Sequence, residues 1–124
     1  EASGDLEKAK IILREISKQS ADKKASRNLG AGIVASYIHG NNSVGAMVEL
    51  LCETDFVARN DDFKALARDI AMHITAMDPE NLEELLGQDF IKSSEKKISN
   101  LIEEAVQKFG ERIEIGRFIR FSIK

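Results

Sequence analysis

Residues 52–57 read Cys-Glu-Thr-Asp-Phe-Val, placing a thiol, two carboxylates, a hydroxyl and a large aromatic within six positions. Two kinds of chemistry suit such a cluster. One is nucleophilic attack by Cys52. That needs an activating base, and the sequence offers none that can be placed beside it. Cys52 ends an apolar run, where a small buried hydrophobe is the usual role. The other is recognition. An apolar strand runs into Thr54-Asp55-Phe56-Val57, and an amphipathic helix starts a few residues later. Hydroxyl, carboxylate and aromatic ring thus sit at a strand-to-helix junction, which can present side chains to a partner from a rigid frame. On the residues alone Phe56 has two readings. It either packs to close the corner, the favoured reading, or stands out as a wedge.

Rival sites fail one by one. His39 and His73 are far apart and neither has a partner at metal-ligand spacing, so both read as packed or surface histidines. Asp61-Asp62 reads as helix-cap charge and Glu83-Glu84 as a solvated face. Gly30-Ala31-Gly32 precedes a strand instead of joining a strand to a helix, so it is not a phosphate loop, and no Walker sequence is present. No cofactor, metal or nucleotide is therefore expected to be held by this chain. Lys18, Lys23, Lys24 and Arg27 read as a solvated basic stretch, with an acidic partner as the lesser alternative. Arg117 and Arg120 either reach a partner or shield a sheet edge.

The bulk numbers describe a soluble, globular chain. A chain of 124 residues, 43% hydrophobic and 31% charged, is one ordinary globular domain with at most a small appendage. Its net charge of −3 supplies no general attraction to nucleic acid or to an anionic membrane. The single cysteine excludes an intrachain disulfide and a cysteine metal cluster, and fits a reducing compartment. No apolar run approaches the roughly 20 residues that span a bilayer, and no signal peptide is seen. The first residue is Glu1, so the chain is read as a fragment or as one with its true start removed.

The elements that must position the corner follow from periodicity. Asp5 caps a helix striped by Leu6, Ala9, Leu13 and Ile16. Residues 18–28 form a polar, basic linker. Gly32–Ile38 and Val44–Glu53 are strands joined by the turn Gly40-Asn41-Asn42-Ser43, because Gly and Asn tolerate positive φ. One sheet face should be well covered and the other partly so. Asn60 or Asp61 caps a helix striped by Phe63, Leu66, Ala67, Ile70, Ala71 and Ile74. Asp78-Pro79 is expected to start a short helix that presents Leu82, Leu85 and Leu86 inward and stops at Gly87. After a loop, Ser94 is expected to cap a helix striped by Ile98, Leu101, Ile102, Ala105 and Phe109, ended by Gly110. Arg112–Lys124 reads as a strand with Ile113, Ile115, Ile119, Phe121 and Ile123 on its core face. Phe118 breaks the polar face, and Gly116 is a candidate bulge. The fold class is α+β, a small, mostly antiparallel three-stranded sheet packed with helices.

Beside this reading stands a resemblance. Cys52-Glu53-Thr54-Asp55-Phe56-Val57-Ala58-Arg59-Asn60 closely resembles the central signature of the elongation factor Ts family. Gly4-Asp5-Leu6-Glu7-Lys8-Ala9 with Leu13-Arg14 resembles the last helix of that family's small N-terminal, ubiquitin-associated-like domain. Gly32–Glu53 resembles its core hairpin. Phe109-Gly110-Glu111-Arg112-Ile113 and Arg117-Phe118-Ile119-Arg120-Phe121 resemble its closing helix and strand. The sequence departs from the family at Leu51, Arg112 and Gly116, where Asn, Asn and Arg are usual. The resemblance divides the chain into a remnant of the helical domain at 1–17, the linker at 18–28 and a core, dimerisation domain at 29–124.

What the resemblance implies is exchange of guanine nucleotide on elongation factor Tu by a short, single-core form that works as a homodimer. The setting would be the bacterial cytoplasm or, second to it, an organellar matrix. It makes Thr54, Asp55, Phe56 and Val57 the partner-binding residues, reversing the packed-corner reading strongly for Asp55 and Phe56 and mildly for the other two. Phe56 would be the wedge and Asp55 would hold the displaced partner segment. Thr54 would fix the turn and Val57 would widen the apolar contact. Arg59 and Asn60 would support the loop and cap the helix. No nucleic acid, membrane or cofactor enters, and the chain would perform no covalent catalysis. The rival from another class is an adaptor that docks on a partner without promoting exchange, and a thiol enzyme using Cys52 is a distant third.

Overall fold

The structure, a computed structural model, describes residues 29–123. The expected N-terminal helix and the linker at 18–28 lie outside the described residues. Two strands form the hairpin: β1 (Ala31–Ile38) and β2 (Val44–Cys52). They pair antiparallel from Ala31 opposite Cys52 to Ile38 opposite Gly45. In the turn between them Asn42 takes φ 64°, and the Asn41 carboxamide accepts from the Ser43 N–H at 3.0 Å. The last strand, β5 (Glu114–Ser122), pairs antiparallel with the other edge of β2, giving a three-stranded sheet of order β1-β2-β5.

Between β2 and β5 come four helices and a small hairpin. Helix α1 (Asp55–Ala58) is a single turn, and α2 (Asp61–Met77) is the long helix that covers the sheet. Asn60 caps α2, its side-chain oxygen accepting from the Asp62 N–H at 2.7 Å. Of the predicted stripe, Phe63, Ala67, Ile70, Ala71 and Ile74 are buried, and Leu66 packs against them. They meet Ala46, Val48, Leu50 and Cys52, the alternate residues of β2, all buried. Phe63 stands edge-on to Phe109 at 6.0 Å between ring centroids, linking α2 to helix α4 (Ile98–Phe109). Gly110 ends α4 at φ 71°, a conformation that favours glycine.

Three expectations about these elements are corrected by the fold. Asp78 does not start a helix. It closes α2 in the left-handed region at φ 50°, and its N–H reaches the Ile74 carbonyl. The short helix α3 (Leu82–Gly87) begins later, capped by Asn81, whose side chain accepts from the Glu84 N–H at 2.8 Å. Proline's fixed φ suits a loop as well as a first helical turn, so the sequence did not distinguish them. Ser94 does not cap α4 either. Residues expected to be loop and the first turn of the helix form β3 (Asp89–Phe90) and β4 (Ser93–Lys97), paired antiparallel, and Asn100 accepts from the Lys97 N–H at the true helix start. Apart from Phe90 this hairpin's paired residues are poor strand formers, and it is held from outside. Phe90 is buried, and the Ile91 N–H donates to His73 Nδ1 at 3.2 Å.

The third correction concerns the face of β5. Pairing runs Val48 to Phe118 and then Leu50 to Ile115, so β5 carries one extra residue there, at the predicted bulge around Gly116. A bulge reverses the facing of every later residue. Ile113 and Ile115 lie in the core as expected, but beyond the bulge Phe118 packs on the core while Phe121 and Ile123 are exposed. Arg120 likewise turns to the helix side, donating to the Thr75 carbonyl at 3.0 Å and lying 3.6 Å from Asp78.

Phe63 is fully buried, so Phe63→Ala is expected to lower unfolding free energy by about 3–5 kcal/mol, read by urea titration. His73 makes a second prediction. It is buried, accepts from Ile91 and bonds Gln88 through Nε2 at 2.9 Å, an arrangement that requires the neutral ring. Burial lowers its pKa below the usual histidine value, and the Gln88 bond opposes this only in part. The unfolded chain therefore binds the proton more readily. Stability should be full above about pH 6.5 and fall as pH drops below it. A His73→Gln variant should lose that slope in thermal melts between pH 7.5 and 5.5.

Candidate functional site

The Thr54–Asn60 corner hangs from the C-terminal end of β2. The strand ends at Cys52, one residue earlier than expected, and the chain turns at Glu53. Thr54 is the N-cap of α1, its hydroxyl oxygen accepting from the Val57 N–H at 3.4 Å. A four-residue helix is not stable alone, so the corner depends on what lies beneath and behind it. Beneath are Val57 and Ala58, both buried in the core. Behind is Glu111, just past α4. One Glu111 oxygen accepts from the Glu53 and Thr54 N–H groups at 3.0 and 3.1 Å, and the other accepts from the Thr54 hydroxyl at 2.6 Å. Glu53 answers by accepting from the Arg112 N–H.

The outer side of the corner is different. Asp55 is exposed, and Phe56 is 90% exposed. The packed-corner reading of Phe56 is thereby overturned, because Val57 and Ala58 fill that space. Val57, at 8% exposure, supports the corner from below and has little surface with which to widen a contact. Arg59 is exposed at the C-terminal end of α1, and Asn60 caps α2. Cys52 is buried, and its thiol lies 3.3 Å from the Thr54 carbonyl. Burial pushes its pKa up, and the Glu111 carboxylate adds to that, so the thiol is held in its unreactive form. Among the described residues no group of three or more His, Cys, Asp or Glu side chains is placed to hold a metal ion, and no helix is long and apolar enough to cross a membrane.

The sequence profile described as Elongation factor TS matches residues 53–124, more than half of the chain and including this corner. The chain belongs to the elongation factor Ts family. Curated relatives described as Elongation factor Ts extend the match to nearly all of it. The one from Thermosipho melanesiensis is 36% identical over 168 aligned positions, covering 99% of this chain and 86% of the relative. That from Thermodesulfovibrio yellowstonii is 39% identical, covering 98% and 83%. That from Desulforamulus reducens is 36% identical, covering 99% and 77%. An aligned span of 168 positions against a chain of 124 residues means that the first of these carries at least 44 residues within the span that this chain lacks.

The departures from the family pattern cluster at the base of the corner and on the sheet beside it. The Arg112 guanidinium pairs with Glu114 at 2.8 Å while its backbone N–H serves Glu53. A Cβ on Gly116 would come within 2.6 Å of a Glu49 oxygen, and Glu49 is bound by Arg117. Leu51 sits between Gly32 and Glu114 on the helix-free side of the sheet. In the sequence Glu111 stands out only as part of the closing motif Phe109-Gly110-Glu111-Arg112-Ile113. Its contacts lie 57 and 58 residues away along the chain, and no local spacing signals them.

Proposed function

We propose that this chain promotes release of GDP from elongation factor Tu during translation elongation, and that Asp55 and Phe56 act on the partner. The observation that carries the proposal is Phe56 itself, 90% exposed on a corner whose next two residues are anchored in the core. A large aromatic on a rigid mount can enter a partner with little ordering required of it. GDP and Mg²⁺ hold the switch and phosphate-binding elements of a GTPase in place, and an exchange factor must prefer the nucleotide-free arrangement. Linkage makes this reciprocal: the factor weakens nucleotide by the ratio in which nucleotide weakens the factor. A thousandfold effect corresponds to about 4 kcal/mol. Burying Phe56 between partner helices supplies roughly 2–3 kcal/mol of that. Asp55 holds the displaced segment through hydrogen bonds or charge. Thr54, Val57 and Asn60 keep the corner in shape, and Arg59 lies beside it. The chain performs no covalent step of its own. The bacterial relatives support the bacterial cytoplasm as its place of work.

The experiment mixes the chain with elongation factor Tu carrying fluorescent GDP and follows release. Phe56→Ala should keep the wild-type melting curve and slow release at least about tenfold. Unchanged release, or an unfolded variant, would remove the wedge role. Binding without release by the wild-type chain would favour the adaptor reading.

We further propose that the chain works as a homodimer joined through the helix-free sheet face. Val34, Ile38, Met47 and Phe121 all stand exposed on that face, and Ile119 lies among them. Monomers rarely leave so many large apolar side chains contiguous, and a two-fold pairing would cover the same patch on both copies. Light scattering at micromolar concentration should give twice the 13.8 kDa chain mass. Phe121→Asp should return the single-chain mass with the fold retained, and a 13.8 kDa wild-type particle would count against the dimer.

A further inference from the structure

We infer that Glu111 is the positioning residue for the partner-binding corner: its carboxylate holds Glu53 and Thr54 so that Asp55 and Phe56 stand in binding-ready geometry before the partner arrives. The inference rests on the exchange reading of that corner. Three donors converge on the one carboxylate: two successive backbone N–H groups and the Thr54 hydroxyl. Hydrogen bonds to a charged acceptor are shorter and stronger than neutral ones, and the hydroxyl bond, at 2.6 Å, is short.

The consequence for α1 is direct. Because the Thr54 hydroxyl proton is committed to Glu111, the hydroxyl lone pairs are left for the Val57 N–H, which is the cap of the turn. Glu111 therefore sets both where the turn starts and which way its cap faces. One other long-range bond, from the Arg112 N–H to the Glu53 side chain, meets the chain before the turn begins, and the bonds within the turn itself are local. Ala58 N–H reaches the Thr54 carbonyl, and Arg59 N–H reaches that of Asp55. They shape the turn without orienting it on the body. Val57 and Ala58 fix its inner side, and Glu111 fixes its entry. Without Glu111 the corner would visit other orientations, and the partner would bind only the competent fraction. Apparent affinity falls by that fraction, while the assembled complex is unchanged.

The test compares wild-type chain with Glu111→Ala and Glu111→Gln, and uses Glu103→Ala on the exposed side of α4 as a control. Amide hydrogen exchange should show the Glu53 and Thr54 N–H groups losing protection in Glu111→Ala while β2 and α2 keep theirs. In the GDP-release assay KM for the elongation factor Tu–GDP complex should rise by about tenfold, with kcat within about twofold. Glu111→Gln keeps an oxygen for the two N–H groups but presents an NH2 to the Thr54 hydroxyl, so its KM should fall between the two. Glu103→Ala should match wild type. Wild-type protection at Glu53 and Thr54 together with wild-type KM in Glu111→Ala would overturn the inference. Should that variant unfold, Glu111→Gln decides, a wild-type KM there being the contrary result. If the wild-type chain itself releases no GDP, the exchange reading falls, and retained protection of the two amides in Glu111→Ala would still separately overturn the role of Glu111.

Discussion

Strand β2 is hydrogen-bonded along both edges, and its alternate residues Ala46, Val48, Leu50 and Cys52 are sealed under α2. That double constraint fixes everything else. A strand paired on both sides cannot slip by one residue without moving its buried set to the other face, so β1 and β5 inherit their register from it. The functional corner starts where β2 ends. It is mounted on the least movable strand of the sheet, which is what a rigid presentation of Phe56 requires.

The corner divides its labour within four residues. Val57 and Ala58 turn inward, and Asp55 and Phe56 turn outward. A single helical turn has two faces, and this one uses its inner face as an anchor so that the outer face need not be flexible. The second attachment is polar and crosses the chain. Glu111 takes the N–H groups of Glu53 and Thr54, and Glu53 takes the N–H of Arg112. The strand end and the helix end thus satisfy one another's unpaired backbone donors, which neither could do locally.

The bulge in β5 has the widest reach of any local irregularity. One extra residue beside Gly116 moves Phe118 to the core side and turns Phe121 outward. The same shift brings Arg120 against the end of α2. It therefore shapes two surfaces at once. The helix side is closed by an arginine on a backbone carbonyl, and on the opposite side Phe121 and Ile119 join Met47 and Ile38 in an apolar patch. The small β3–β4 hairpin shows a different dependence. Most of its paired residues have little strand preference, and it stays in place because Phe90 is buried and His73 accepts from Ile91.

Much of this was legible in the residues. The β1–β2 hairpin, the buried stripe of α2, the stripe of α4 with its glycine stop and the bulge at Gly116 all follow from periodicity and turn chemistry, because those signals are local and repeat every two or 3.6 residues. The signature at 52–60 likewise marked the corner and the family. What the sequence could not decide was direction. Whether Phe56 packs or projects depends on whether Val57 and Ala58 already fill the space beneath it. Which way Phe121 faces depends on how far the bulge shifts pairing. That Glu111 serves Thr54 depends on a contact 57 residues distant. Each of these is settled by competition for the same volume or the same donor among segments far apart in the chain, and only the folded structure brings those competitors together.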